Sequence, residues 1–353
     1  MVNNIIRTLI LFYFSSIFFT AFAQEVKDFS VVSIAFYNVE NLFDTQDDPQ
    51  IFDEDFTPTG KNRWTEELYY KKQENLSFAI NSIGNDQIKA PPAILGLSEI
   101  ENLQVLEDLV NMPLLAPYDY QIIHFDSPDE RGIDVALLYR PDIFVAENSV
   151  NHSLLIYDRK STSKRDYTRD QLVVTGSLDG EEIHVVVNHW PSRSGGEKAS
   201  NYKRENAAKL NKNIIDSLHR KDPYARIINM GDFNDDPHDN SLKKILGAKA
   251  RKEQVEFGGL YNPFAAIALR GTGTSAYRDQ WNFFDQIILS QSLIEKDPSK
   301  FTFFRAYVFN PPFLVTAKGP YKNYPFRSFG SSGFTGGFSD HFPVYILLIK
   351  ELD

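Results

Sequence analysis

The sequence predicts a single α/β domain built on mixed β-structure, and three observations carry that expectation. Short β-rich runs recur along the whole chain, and helical patterns of period 3.6 lie between them. No Pro/Ser-rich linker and no fixed-period repeat divides the 353 residues. Polar motifs sit repeatedly at the ends of apolar runs, four after their run and two before it. All six can share one rim only if the last two strands run antiparallel to the earlier four, which a mixed or antiparallel sandwich satisfies.

The elements follow in order. Strands are expected at Val31–Tyr37, Ala93–Leu97, Tyr120–Phe125, Asp134–Tyr139, Gln171–Ser177, Ile183–Asn188, Arg226–Met230, Phe284–Leu289 and Val344–Ile349. Runs such as Ile183-His184-Val185-Val186-Val187 are nearly continuous, which suits strands covered on both faces. Helices are expected over Glu66–Ile83, with Leu68, Tyr69, Leu76, Ala79, Ile80 and Ile83 on one side, and over Ala199–Leu218. Phe301–Phe338 is rich in aromatics, Gly and Pro without period, and reads as a long ordered surface loop.

Composition excludes several classes. Hydrophobic residues at 42% and charged residues at 24% rule out wholesale disorder. With no cysteine, a disulfide framework, zinc-thiolate site, iron–sulfur cluster or cysteine nucleophile is excluded, so any metal takes oxygen and histidine ligands. Before residue 25 the only charge is Arg7; Leu9–Phe19 is apolar and leads to Ala21-Phe22-Ala23. This is the pattern of a cleaved signal peptide over 1–23, leaving a domain over 24–353 that is secreted or periplasmic; an uncleaved anchor is the rival reading. No stable membrane span is expected after cleavage, and no obligate protein partner is inferred. The full chain carries −10, and losing Arg7 makes the remainder more acidic still. Such a chain engages phosphates through a local basic patch or a bridging cation, not through its bulk field.

The polar motifs hold the candidate chemistry. Asn38-Val39-Glu40 closes the first strand, and alternation is expected to put Asn38 and Glu40 on one face. Ser98-Glu99-Ile100-Glu101 closes the second; Glu99 is the better ligand candidate, and Glu101 reads as a first-turn helix acid. Asn188-His189-Trp190 ends a third strand beside Arg193 and Lys198. Gly231-Asp232-Phe233-Asn234 ends a fourth, with Asp235 and Asp236 read as turn formers. Asp285 and Ser339-Asp340-His341 precede the last two strands.

In this order the motifs resemble the endonuclease/exonuclease/phosphatase superfamily, the deoxyribonuclease I-like fold, over roughly residues 30 to 350. Phe36–Asp44 together with Arg131-Gly132-Ile133-Asp134-Val135-Ala136 is similar to its secreted bacterial nuclease-like branch. The resemblance implies a four-layer α/β/β/α sandwich of two mixed, mainly antiparallel sheets. It implies a divalent cation, Mg²⁺ with Mn²⁺ or Ca²⁺ possible, held by Glu99 with Glu40 and Asp340 nearby and Asn38 orienting the carboxylates. Asp285 would orient His341, which serves as base or phosphate ligand. Asp232 would activate water, Asn234 would hold the water or the phosphate, and His189 would face the phosphate.

Two basic clusters flank these motifs: Arg159, Lys160, Lys164, Arg165 and Arg169, then Arg193, Lys198, Lys203 and Arg204. Arg165, Arg169 and Arg193 are the expected phosphate ligands. On these grounds the sequence points to a nuclease acting on DNA or RNA, most simply an endonuclease. The alternative is a phosphatase or phospholipase of the same fold acting on phosphoinositide, sphingomyelin or another phosphoester.

Overall fold

The computed structural model describes residues 28–158 and 164–352. The predicted leader over 1–23, and Arg159 and Lys160 of the first basic cluster, lie outside the described residues.

Two mixed sheets face each other. The six-stranded sheet runs, edge to edge, Thr302–Val308, Val344–Glu351, Phe29–Leu42, Ile94–Ile100, Asp134–Tyr139, Gln121–His124. The seven-stranded sheet has Glu181–His189, Ile227–Asp232 and Asp285–Ser290 at its centre and Phe144–His152 at one edge. Within each sheet one central pair is parallel, Phe29–Leu42 with Ile94–Ile100 and Glu181–His189 with Ile227–Asp232. The closing strands Asp285–Ser290 and Val344–Glu351 run antiparallel to their neighbours, as the shared rim demands.

Side-chain alternation builds the layers. Val32, Ile34 and Phe36 point between the sheets, against Val185, Met230 and Ile287. Ala35, Tyr37 and Val39 point outward, against Leu76 and Ile80 of the helix Glu66–Ser82 and Leu106 of Leu103–Val110. The long helix Glu197–Lys221 covers the other sheet with Ala207, Ala208, Ile214 and Ile215. Burying each such Leu or Ile contributes about 1.5–3 kcal/mol. Helix, sheet, sheet, helix is the four-layer order. The sheets approach closely: a Cβ on Gly96 would lie 2.5 Å from the Met230 sulfur, so a larger residue there would force Met230 to shift.

Three departures from expectation have physical causes. Thr302–Val308, inside the expected loop, is an edge strand pairing with Val344–Glu351 and carrying a register shift between Phe303 and Arg305. Phe144–His152 was not expected either; as an edge strand it pairs on one side only and needs no apolar run. Glu101 is no first-turn acid: Asn102 caps the following helix by accepting from the Val105 N–H at 3.1 Å, and Glu101 is buried, accepting from the Asp44 N–H at 2.6 Å. No helix of the described residues is long and apolar enough to cross a membrane.

Candidate active site

The parallel central pairs end side by side, so the motifs that follow them converge. Asn38 leaves its strand buried, and its amide Nδ2 donates to Glu99 Oε1 at 3.2 Å and to Asp232 Oδ2 at 3.0 Å. Asn38 Oδ1 accepts from the Glu40 N–H at 2.9 Å, which fixes the amide so that its NH₂ faces both carboxylates. Glu99 Oε2 accepts from the Asn41 N–H at 2.9 Å. His189 Nε2 lies 3.7 Å from Asp232 Oδ2 and 4.0 Å from Glu99 Oε1. His341 Nε2 lies 3.9 Å from Asp232 Oδ2, and its Nδ1 is 2.7 Å from Asp285 Oδ2. The Asn234 N–H donates to Asp232 Oδ1 at 2.9 Å, and Asn234 Nδ2 donates to the Trp190 carbonyl at 3.0 Å. Asp340 sits on the rim, its Oδ1 3.9 Å from His341 Nε2.

Electrostatics divide the two histidines. Burial pushes His189 well below its ordinary value, and Arg169, Arg131 and His341 push the same way, so its imidazole is neutral. Burial opposes charge on His341 too, but Asp285, Asp232 and Asp340 outweigh it and hold that ring well above its ordinary value, as an imidazolium. Burial raises Asp232 to about 7, against the pull of His341. A carboxylate that ionises near neutrality beside an imidazolium suits proton transfer.

The structure corrects three expected roles. Glu40 does not share a face with Asn38, because Glu40 and Asn41 adopt φ of 51° and 54° and break the strand's alternation. Its carboxylate turns away to the Ser328 N–H at 2.5 Å and Arg327 at 3.0 Å, and burial pushes it up to about 8. Arg169 is buried and committed, donating to Asp129 Oδ2 at 2.9 Å and to the Trp190 carbonyl at 2.8 Å. Arg193 donates to the Asn234 carbonyl at 2.9 Å, to Asp236 at 3.1 Å and to Asp239 at 3.0 Å, bracing the Asp232 turn. In the same cluster Arg204 is buried on Asp235 at 2.5 Å, so Asp235 is an ion-pair partner and not only a turn former, and Lys203 meets Asp166. Arg165 is half-buried over the Tyr167 ring.

Sequence reasoning missed two surfaces beside the site. One is a cavity of about 710 Å³ whose lining includes Asp44, Asp48, Glu101, Asp126, Asp129 and Asp134 and no Lys or Arg. The other is a lobe made by the hairpin Ser275–Tyr277/Gln280–Asn282 and the loop around Tyr324. Ser275 bridges to His341, the Phe342 N–H donates to the Thr274 carbonyl at 2.7 Å, and Trp281 stacks on Phe342. Tyr277, Trp281 and Tyr321 are exposed there, as are Arg278, Lys318 and Lys322. The signal was present in Trp281 and in the basic residues of the expected loop, but nothing local placed them beside His341.

With this geometry in hand, the comparisons decide the lineage. The family model described as Endonuclease/Exonuclease/phosphatase family matches residues 33–350. The chain belongs to that family. Family members hydrolyse phosphoesters with a divalent metal, and among the described residues two groups of ligand-type side chains lie close together: Asp232, Asp285 and His341, whose imidazolium leaves the two carboxylates as the ligand candidates, and His124, Asp126 and Asp134. No curated protein matches the sequence. Among solved structures the chain is similar to a family protein from Bacteroides thetaiotaomicron, at 18% identity and TM-score 0.54 over 92% of this chain and 97% of that one. It is similar to D. rerio TDP2 complexed with single strand DNA product, at 13% identity and TM-score 0.52 over 90% and 99%. It is also similar to the mannosyl-6-phosphatase Bt3783 of B. thetaiotaomicron VPI-5482, at 18% identity and TM-score 0.51 over 90% and 99%. At these identities the likeness is one of fold.

In each of the two groups a carboxylate is already tied to the histidine. Asp285 is tied to His341, while Asp134 is tied to His124 at 3.2 Å and accepts from the Ser127 N–H at 2.9 Å. A hard divalent cation takes oxygen ligands. Glu99 fits it: its carboxylate is held by Asn38 and Asn41, keeps lone pairs free and is partly exposed at the rim.

Proposed function

We propose that the protein is a divalent-cation-dependent phosphodiesterase acting on single-stranded nucleic acid at or near its ends. The observation that carries the proposal is the convergence of Glu99, Asp232, His189 and the Asp285–His341 pair on one small volume beside the aromatic, basic lobe. Held by Glu99, with Asp340 at the rim, Mg²⁺ (or Mn²⁺ or Ca²⁺) would supply charge neutralisation for the phosphoryl oxygens. Asp232 accepts the proton of the attacking water, and Asn38 and the Asn234 N–H keep its carboxylate aimed. The His341 imidazolium, fixed by Asp285, faces the developing phosphorane charge. Neutral His189 donates a hydrogen bond to the phosphate or to the leaving oxygen.

Substrate class rests on charge. The arginines that suggested a polynucleotide groove are mostly spent on internal carboxylates, so support for nucleic acid moves to the lobe. Exposed aromatic faces interleaved with Arg and Lys are the composition of a base-stacking surface. The carboxylate-lined cavity repels a phosphate backbone on the opposite side. A strand therefore extends over one flank only, which favours end processing over cutting within a long strand. A small phosphomonoester is the second reading, favoured by the pairing of Arg169 and Arg193 with internal carboxylates, which takes both away from a polymer's phosphate backbone.

The test is a substrate panel with Mg²⁺ and with chelator: linear and circular single-stranded DNA, RNA, a sugar phosphate, an inositol phosphate and sphingomyelin. Cleavage of linear single strands with circular strands spared is the expected result. Turnover of the sugar phosphate alone would replace the nuclease reading with the phosphatase one.

A further inference from the structure

One buried cation near the site has no place in the chemistry just described. Lys72 comes from the helix Glu66–Ser82 and is fully buried. Its Nζ donates to the Glu40 carbonyl and to Ser328 Oγ, the latter at 2.8 Å, and lies 4.8 Å from the centre of the Phe329 ring. Ser328 Oγ in turn donates to the Phe338 carbonyl at 2.7 Å, and the Ser328 N–H binds the Glu40 carboxylate. Lys72 thus fastens three separate pieces of chain: its own helix, the end of the first strand and the segment that leads to Asp340 and His341.

The piece it grips is strained. Glu40 and Asn41 are consecutive non-glycine residues in the left-handed region, and Glu99 across from them has φ of 65°. Such conformations cost of order 1–3 kcal/mol each and persist only where surrounding bonds over-determine them. Here the Glu40 N–H is held by Asn38, its carbonyl by Lys72 and its carboxylate by Ser328 and Arg327. The product of this bulge is the direction of the Asn41 N–H, which points at Glu99 Oε2. An ordinary strand continued through 40 and 41 would aim that N–H elsewhere.

We propose that Lys72 is a positioning residue for the cation site: by holding the Glu40 carbonyl it sets the bulge whose Asn41 N–H orients the Glu99 carboxylate. It touches no substrate and no cation. This inference rests on the reading of Glu99 as the ligand, and the experiment separates the two. Partners that orient a metal ligand change metal affinity about 10–100-fold when removed, even at a distance from the ion.

The measurement is Mn²⁺ and Mg²⁺ affinity by calorimetry on the full chain, with melting temperature recorded for each variant. Glu99→Gln tests the underlying reading and should abolish binding. Lys72→Met keeps the length and removes the donor; it should weaken binding at least tenfold, and Lys72→Arg should recover part of the loss. Ser328→Ala keeps the Lys72 contact to the Glu40 carbonyl and removes the hydroxyl shared by Lys72 and the Phe338 carbonyl; it is the milder variant should Lys72→Met fail to fold, and it should weaken binding severalfold. A merely structural lysine would lower the melting temperature and leave the affinity of every folded variant as in wild type. That outcome, with Glu99→Gln still null, overturns the role of Lys72 alone. If Glu99→Gln binds metal like wild type, the Glu99 reading falls and the proposal with it.

Discussion

The two flanks of the candidate site differ in sign and in construction. On one side the turns after the first two strands, together with the Asp126–Asp134 stretch, gather carboxylates around an open cavity. On the other, the Ser275–Asn282 hairpin and the loop around Tyr324 set exposed aromatics among Arg278, Lys318 and Lys322. Both flanks are tied to the same six motifs: the acidic one through Glu101, two residues from Glu99, and the basic one through the bridge from Ser275 to His341. The contrast teaches that net charge says little about a site. A chain of −10 can present a cationic face wherever packing leaves basic residues exposed, as it leaves Arg278, Lys318 and Lys322 on the aromatic flank.

The sharpest way to break this comparison is to empty the centre that both flanks serve. Glu99→Ala should abolish metal-dependent turnover while circular dichroism stays native; near-normal turnover would mean that the centre lies elsewhere. Asp285→Asn should lower kcat by about 10²–10⁴ with KM little changed, since the amide keeps the shape but not the charge that holds His341 as an imidazolium. A risen KM with intact kcat would make Asp285 a binding residue.

Asp232 gives the comparison a pH axis. It must be ionised to accept a proton, so kcat/KM should climb as pH passes about 7, and that limb should vanish in Asp232→Asn together with most of the activity. The sign for stability is opposite. A carboxyl raised in the folded state contributes its stability fully below the ordinary carboxylate range and loses it as pH rises through about 7. Metal-free Asp232→Asn should therefore melt higher than wild type at pH 8 and near wild type at pH 4. An equal shift at both values would detach Asp232 from this titration.

Arg169 separates fold from substrate binding. Arg169→Ala leaves Asp129 buried without its cation and should cost about 3–5 kcal/mol of stability, read from denaturant unfolding. The salt slope of DNA binding should not change; a slope flattened by about one unit would return Arg169 to the phosphate groove. Smaller still, Trp281→Ala should weaken binding of a short single strand by about 1–3 kcal/mol while a small diester substrate is cleaved at the wild-type rate. Equal losses on both substrates would show that the lobe supports His341 and does not stack bases.

Much of this was legible in order along the chain. Apolar runs such as Ile183–Val187 and Ile227–Met230 announce buried strands, and the motif at the end of each strand stays there whatever the packing does. Edge strands were harder: Phe144–His152 is polar because only one neighbour pairs with it. The role of Glu40 was misread because alternation assumes a regular strand, and the left-handed pair at 40 and 41 is imposed by groups 32 and 288 residues away in sequence, Lys72 and Ser328.

The sequence by itself determined the layered α/β class, the order of the polar motifs and the family. Those properties live in local periodicity and in short contiguous strings. Only the tertiary structure decided which charges are free to meet a substrate. Arg169 finds Asp129 across 40 residues and Arg204 finds Asp235 across 31, and such pairings follow from which strand ends the sheets bring together. A guanidinium desolvated by burial must be paired, whereas Arg278 and Lys322 lie exposed on the aromatic hairpin and loop, where water solvates the charge.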